Sequence, residues 1–221
     1  MTRKRKPYKT FTNKKGQYPL IDDLLRKNQK MKVKYNNLTI EITNEPDLDL
    51  SNISQKFNKQ YPSELGQKLE YQPSSMHGIR ISENGTEKCS AILLESGGAT
   101  GITENSFVIK NESIYICCSD MVYCLKLSDL SVNWRNQCDP GTCFQIYEFE
   151  DDFIIHGEMQ ISRIDEQGKT KWNFGARDIF VSPDGKNELK IIENRIEVID
   201  WQGYKYVLNS AGELLSEEKV I

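Results

Sequence analysis

The side chains that could do chemistry are few. There are two histidines, His77 in the turn-like PSSMHG and His156 after the apolar FII. Nucleophilic catalysis needs a Ser or Cys, a base and an orienting acid to meet. Ser74, Ser75 and His77 are close in sequence, but nothing else in the chain points at them, and no catalytic residue is assigned. Among the six cysteines, CDPGTC (138–143) sets two thiols across an Asp-Pro-Gly turn, a spacing suited to a thiol switch. Zinc takes four ligands in paired short spacings, and no second pair is present. Cys117 and Cys118 fall on opposite faces if they share a strand, so at most one joins any site with Cys124. Against these readings stands the ordinary one, in which free cysteines are small buried apolar residues. The Gly-rich ESGGATG (95–101) lacks the Lys-Ser/Thr ending and the following helix of a phosphate loop, and it reads as a connection. No metal or cofactor is expected.

Charge carries a second signal. The 221-residue chain has a net charge of −3, yet residues 1–34 hold twelve Lys or Arg against two acids, and the remainder holds seventeen against thirty. The two parts therefore carry +10 and −13, a basic arm on an acidic body. TRKRKPYK (2–9) is the densest run. Arg3, Lys4, Arg5 and Lys6 are its candidates for nucleic-acid phosphate contacts, with Tyr8, Phe11 and Tyr18 available to stack on bases. In the body, EFEDD (148–152) puts Glu148, Glu150, Asp151 and Asp152 at a hairpin end between apolar strands. A calcium loop has a different spacing and a Gly. The remaining readings are a solvated turn or a negative patch that docks a basic partner.

The elements that must position these residues are mostly strands. A short helix is expected from Pro19 to about Lys30, with acids at its start and cations at its end. MKVKYNNLTIEI (31–42) reads as two strands around Asn36-Asn37. Ser51 is a candidate cap for a second short helix reaching about Tyr61. From Gly78 onward, runs rich in Ile, Val, Tyr and Phe are split by tight turns, first at Asn84-Gly85, the strongest short hairpin signal. Such a series indicates antiparallel meanders.

The meanders repeat. SIYICCSDMVYCLKLSDLSVNW (113–134), DFIIHGEMQISRIDEQGKTKW (152–172) and NRIEVIDWQGYKYVLNSAGELL (194–215) each give strand, turn, strand, turn, strand. A period of about 40 residues with several strands per unit is that of propeller blades, and Gly168 and Gly212 take the turn positions that other residues resist. DEQGKTKW (165–172) resembles the strand–turn–strand signature of WD-like and quinoprotein-type propeller repeats. In those an Asp precedes a Gly-Lys turn and a Trp docks between blades. The resemblance spans residues ~103–215 and implies that Trp134 and Trp172 bridge neighbouring units. Quinone chemistry is not carried over.

The expected fold is mainly β: propeller-like meander units, open or sandwich-like, with one or two short N-terminal helices. A basic arm and helix occupies 1–34 and an acidic β body 35–221, with units at about 78–102, 103–137, 144–176 and 178–216. No stretch approaches the ~18 apolar residues of a membrane span. The basic start lacks the apolar segment of a secretory signal, so a cytoplasmic setting is expected. The expected function is a non-catalytic protein-binding module, of inhibitor or immunity type, against a basic protein such as a toxin. One alternative is an enzyme or a redox or metal protein using Cys138, Cys143 and His156. The other is a nucleic-acid binder working through the arm.

Overall fold

In a computed structural model, residues 29–62, 73–181 and 189–221 are described. They form four sheets. The first opens with the hairpin expected from MKVKYNNLTIEI, β1 (Lys30–Tyr35) and β2 (Leu38–Asn44), where Asn36 takes φ 53°. Asn tolerates this left-handed region better than most residues. The expected helix up to Lys30 lies outside the described residues apart from its end, and Lys30 already belongs to β1.

The second expected helix is shorter and capped elsewhere. Asp49, not Ser51, is the cap, accepting from Ser51 N at 2.9 Å. A 3-10 turn (Leu50–Asn52) leads into α1 (Ile53–Lys56), and Phe57 is already extended. Phe57 is drawn into an apolar cluster with Leu48, Ile53, Met76, Ile92 and Leu94. That burial stops the helix and frees Lys59–Tyr61 to become β3. β4 (Ser75–Glu83) and β5 (Thr86–Glu95) form the Asn84-Gly85 hairpin, with both turn residues at positive φ, the combination that matches strand twist. The sheet order is β1-β2-β4-β5-β3, and β3 runs parallel to β5.

The other three sheets are four-stranded meanders in chain order. The second comprises β6 (Phe107–Lys110), β7 (Ser113–Cys118), β8 (Met121–Lys126) and β9 (Val132–Gln137). The third comprises β10 (Cys143–Phe149), β11 (Asp152–Gly157), β12 (Ile161–Ile164) and β13 (Thr170–Phe174). The fourth comprises β14 (Lys190–Ile192), β15 (Arg195–Ile199), β16 (Tyr204–Leu208) and β17 (Leu214–Lys219). Their registers repeat. Cys124 faces Trp134, Arg163 faces Trp172 and Val207 faces Ser216, each followed by an irregularity at the next pair.

Apolar cores lie between consecutive sheets. Ile40, Ile79 and Leu93 meet Ile114, Ile116 and Leu125; Tyr115, Cys117 and Val122 meet Phe153 and Ile155; Ile154 and Ile161 meet Ile196, Val198 and Tyr206. β7 and β11 send alternate side chains into two cores, so all six residues of each are buried. Among the described residues, β15 packs into an apolar core on one side only, and its burial alternates.

The repeated phrase has a mechanical role. Trp134 on β9 reaches the β12–β13 turn of the next sheet, donating from Nε1 to Glu166 O at 2.8 Å. Its ring lies against Gly168, where a Cβ would fall 2.6 Å from it. Trp172 on β13 repeats this, donating to Ser210 O at 3.1 Å and covering Gly212. The receiving turns are held by Asp165 Oδ1, which accepts from Gln167 N and Lys169 N, and by Asn209 Oδ1, which accepts from Ala211 N and Glu213 N. Between the first two sheets, Tyr61 on β3 takes the tryptophan's part and donates to Leu130 O at 3.0 Å. Leu130 sits at φ 58° where the other turns have glycine.

The latch tryptophan is not repeated in the fourth sheet. The residue in register with Trp134 and Trp172 is Ser216. Glu197 stands where the preceding sheets have Tyr115 and Ile154, and Lys205 where they have Val122 and Ile161. Lys205 and Glu197 pair at 2.8 Å on this outward face. The surface of this sheet is mixed, with Ile192, Leu214 and Leu215 exposed on the same sheet as this ion pair. Among the described residues, no apolar cluster joins the fourth sheet to the first.

Candidate protein-interaction surface

Most of the side chains singled out for chemistry belong to the frame. His77 on β4 is fully buried, with Nδ1 3.2 Å from Cys117 O and Nε2 3.0 Å from Thr100 O, tying the first sheet to the second. His156 on β11 is buried with Nδ1 3.0 Å from Gln145 Oε1 and Nε2 3.1 Å from Phe180 O. Burial lowers both rings to about 4, against the pull of the facing carbonyls, so both are neutral at pH 7. All six cysteines are buried and unbridged. Burial pushes Cys138 up to about 12 and Cys143 well above the ordinary thiol value, which leaves them as packing residues beside Cys117, Val122 and Ile146. Among the described residues, no group of three or more His, Cys, Asp or Glu is placed to hold a metal ion. Loop 95–101 is a connection, and Gly98 is needed there because a Cβ would fall 1.7 Å from Thr142 Oγ1.

Four further frame residues, Asp139, Glu95, Arg135 and Tyr123, gave no signal in the sequence. Asp139, in the middle of CDPGTC, is 1% exposed. Its two oxygens accept from four backbone amides, those of Gly141, Thr142, Met159 and Gln160. Glu95 on β5 binds Arg135 on β9 through both oxygens, at 2.7 and 2.9 Å, and accepts from the Tyr123 hydroxyl. Half of Asp139's donors and the Arg135 and Tyr123 partners of Glu95 lie far along the chain, so local spacing does not reveal them.

EFEDD lies at the end of the molecule where the β10–β11 turn and the latch turns gather. Glu150 sits at φ 56° in that turn. Asp152 is 2% exposed and held by Arg163 at 2.5 Å and Lys171 at 2.7 Å. Glu150 shares Arg163 at 2.6 Å, while Glu148 is exposed, 4.0 Å from Lys110. Asp152 is thus part of the internal ion network, and Glu148, Glu150 and Asp151 face outward. Beside them is an open depression of about 490 Å³ lined by polar side chains, among them Lys110, Asp151, Glu166 and Lys171. Arg3, Lys4, Arg5 and Lys6 lie outside the described residues.

The opposite end, where the chain passes from sheet to sheet, is laced by backbone hydrogen bonds. Gly98 N donates to Gly141 O at 2.9 Å, Cys143 N to Ser119 O at 2.6 Å and Glu158 N to Thr142 O at 2.8 Å. Phe180 N donates to Glu158 O at 2.7 Å and Trp201 N to Ile179 O at 2.8 Å. The lacing runs through all four sheets and fixes the loops at this linker end.

No protein-family model and no curated protein matches the chain. Solved structures do. The chain is similar to the AfRom2 CNH domain (8% identity, TM-score 0.49, covering 87% of this chain and 54% of that one). It is similar to the WD40 domain of Neurospora crassa Pan2 (15%, 0.43, 52% and 38%). It is also similar to a europium-containing methanol dehydrogenase (12%, 0.41, 51% and 24%). The chain spans about half or less of each. The architecture itself rests on the four sheets described above. No helix among the described residues is long and apolar enough to cross a membrane.

Proposed function

We propose that the protein is a non-catalytic binding module for a basic protein, of inhibitor or immunity type, acting in the cytoplasm. The observation that carries this reading is the division of labour among its side chains. His77, His156 and the six cysteines are buried in the frame, while Glu148, Glu150 and Asp151 stand exposed on a turn beside the open polar depression. Carboxylates on a rigid turn steer a cationic surface toward them and fix its register. Asp152 acts from behind by holding Arg163 and Lys171 in place.

The test is affinity capture from the native cell extract, followed by association kinetics with the captured partner. Charge reversal of Glu148, Glu150 and Asp151 to Lys should slow association at least tenfold at low salt, and Asp151→Lys alone, which leaves the Glu150–Arg163 pair intact, should slow it in the same direction with the fold retained. An unchanged association rate removes this turn from the interface.

A further inference from the structure

We propose that the linker end is the docking surface for the chain's own basic N-terminal segment, residues 1–28. Three carboxylates line that end in successive positions: Asp120 in the β7–β8 turn, Glu158 in the β11–β12 turn and Asp178 before β14. Their side-chain bonds come from neutral donors. Gln137 donates to Asp120 at 2.7 Å, Thr142 to Glu158 at 2.9 Å and Gln202 to Asp178 at 3.2 Å. The nearby cation Arg177 is engaged by Glu217. At the same end, Met159 beside Glu158 and Trp201, whose backbone N donates to Ile179 O, are 46% and 42% exposed. Ser119, next to Asp120, carries the one buried side-chain oxygen among the described residues with no hydrogen-bond partner. Its Oγ and the Asp120 carboxyl converge on the same point above Gly97.

The occupant is argued from where the chain enters. Gln29 immediately precedes β1 at this end, with its backbone oxygen accepting from Asn44 N and its side chain accepting from Ile102 N at 2.7 Å. Two residues from Ile102, Thr100 bonds to Ser119 O. The segment ahead of Gln29 holds nine Lys or Arg against two acids, with Tyr8, Phe11 and Tyr18 among them. A chain of that length spans up to ~90 Å when extended, so reach does not limit the contact. Cations meet carboxylates and aromatic rings meet Met159 and Trp201, while the acidic turn at the other end stays open. The inference stands independently of the binding role assigned to that turn.

The test uses the full chain with a photo-crosslinking phenylalanine analogue in place of Phe11. Irradiation at low salt should give intramolecular crosslinks to peptides carrying Met159 and Trp201. Their yield should fall at least fivefold in 0.5 M salt, in an Asp120→Asn, Glu158→Gln, Asp178→Asn variant, and in a Met159→Ala, Trp201→Ala variant that leaves the carboxylates intact. Crosslinks to the 148–152 turn, crosslinks only between molecules, or no crosslink at all overturns the proposal.

Discussion

Gly168 and Gly212 show how one residue can serve two constraints. Each sits near φ +80° and each has a tryptophan ring in the place of a side chain. Replacement by Ala combines left-handed strain with a clash, and should cost about 2–5 kcal/mol in urea unfolding. Gly85→Ala is the control, because Gly85 shares the positive φ but has nothing within 4 Å; it should cost about 1–2 kcal/mol. The histidines make a prediction in pH. Burial holds the folded-state value of His156 near 4, against 6.5 for the free ring. As pH falls the unfolded chain protonates first, so stability present above pH 6.5 is lost between about 6.5 and 4. The loss is about 3 kcal/mol for each such ring. His77 acts in the same direction. Unfolding free energy should therefore drop across that window, and His156→Gln should flatten the drop. Turn glycines were legible in the sequence because their constraint is local. Asp139 was not, because two of its four donors, Met159 and Gln160, come from a different turn some twenty residues on.

At the scale of elements, the strands from Asn84-Gly85 onward follow from turn chemistry and β-branched runs. The latch follows from the repeated Trp and Gly. The second expected helix ends at Lys56 rather than near Tyr61 because Phe57 finds a tertiary pocket that local propensity does not contain. Tyr61 was equally invisible as a latch, since β3 joins its sheet by a parallel pairing with β5. Trp134→Phe keeps most of the ring but loses the bond to Glu166 O, and should cost about 1 kcal/mol. Trp134→Ala empties the contact and should cost about 3 kcal/mol. Combined with Gly168→Ala, Trp134→Ala should show strong non-additivity in thermal unfolding, since the clash disappears with the ring. Additive losses would mean the two do not touch.

At the scale of the whole molecule, the described residues stack four sheets, laced by backbone bonds at the linker end and latched by Tyr61, Trp134 and Trp172 at the other. The sequence pointed to repeats but left their closure undecided, because closure depends on which positions of the last unit face outward. Register shows what the fourth sheet presents there: Glu197, Lys205 and Ser216 occupy the positions that hold Tyr115, Val122 and Trp134 in the second sheet. The most direct measurement is sedimentation velocity on the wild type and a Glu197→Ile, Lys205→Ile, Ser216→Trp variant, over a hundredfold range of concentration. The account predicts a variant that folds and self-associates through its newly apolar face, beside a wild type whose sedimentation coefficient does not change. A folded variant that sediments like the wild type at every concentration would contradict it.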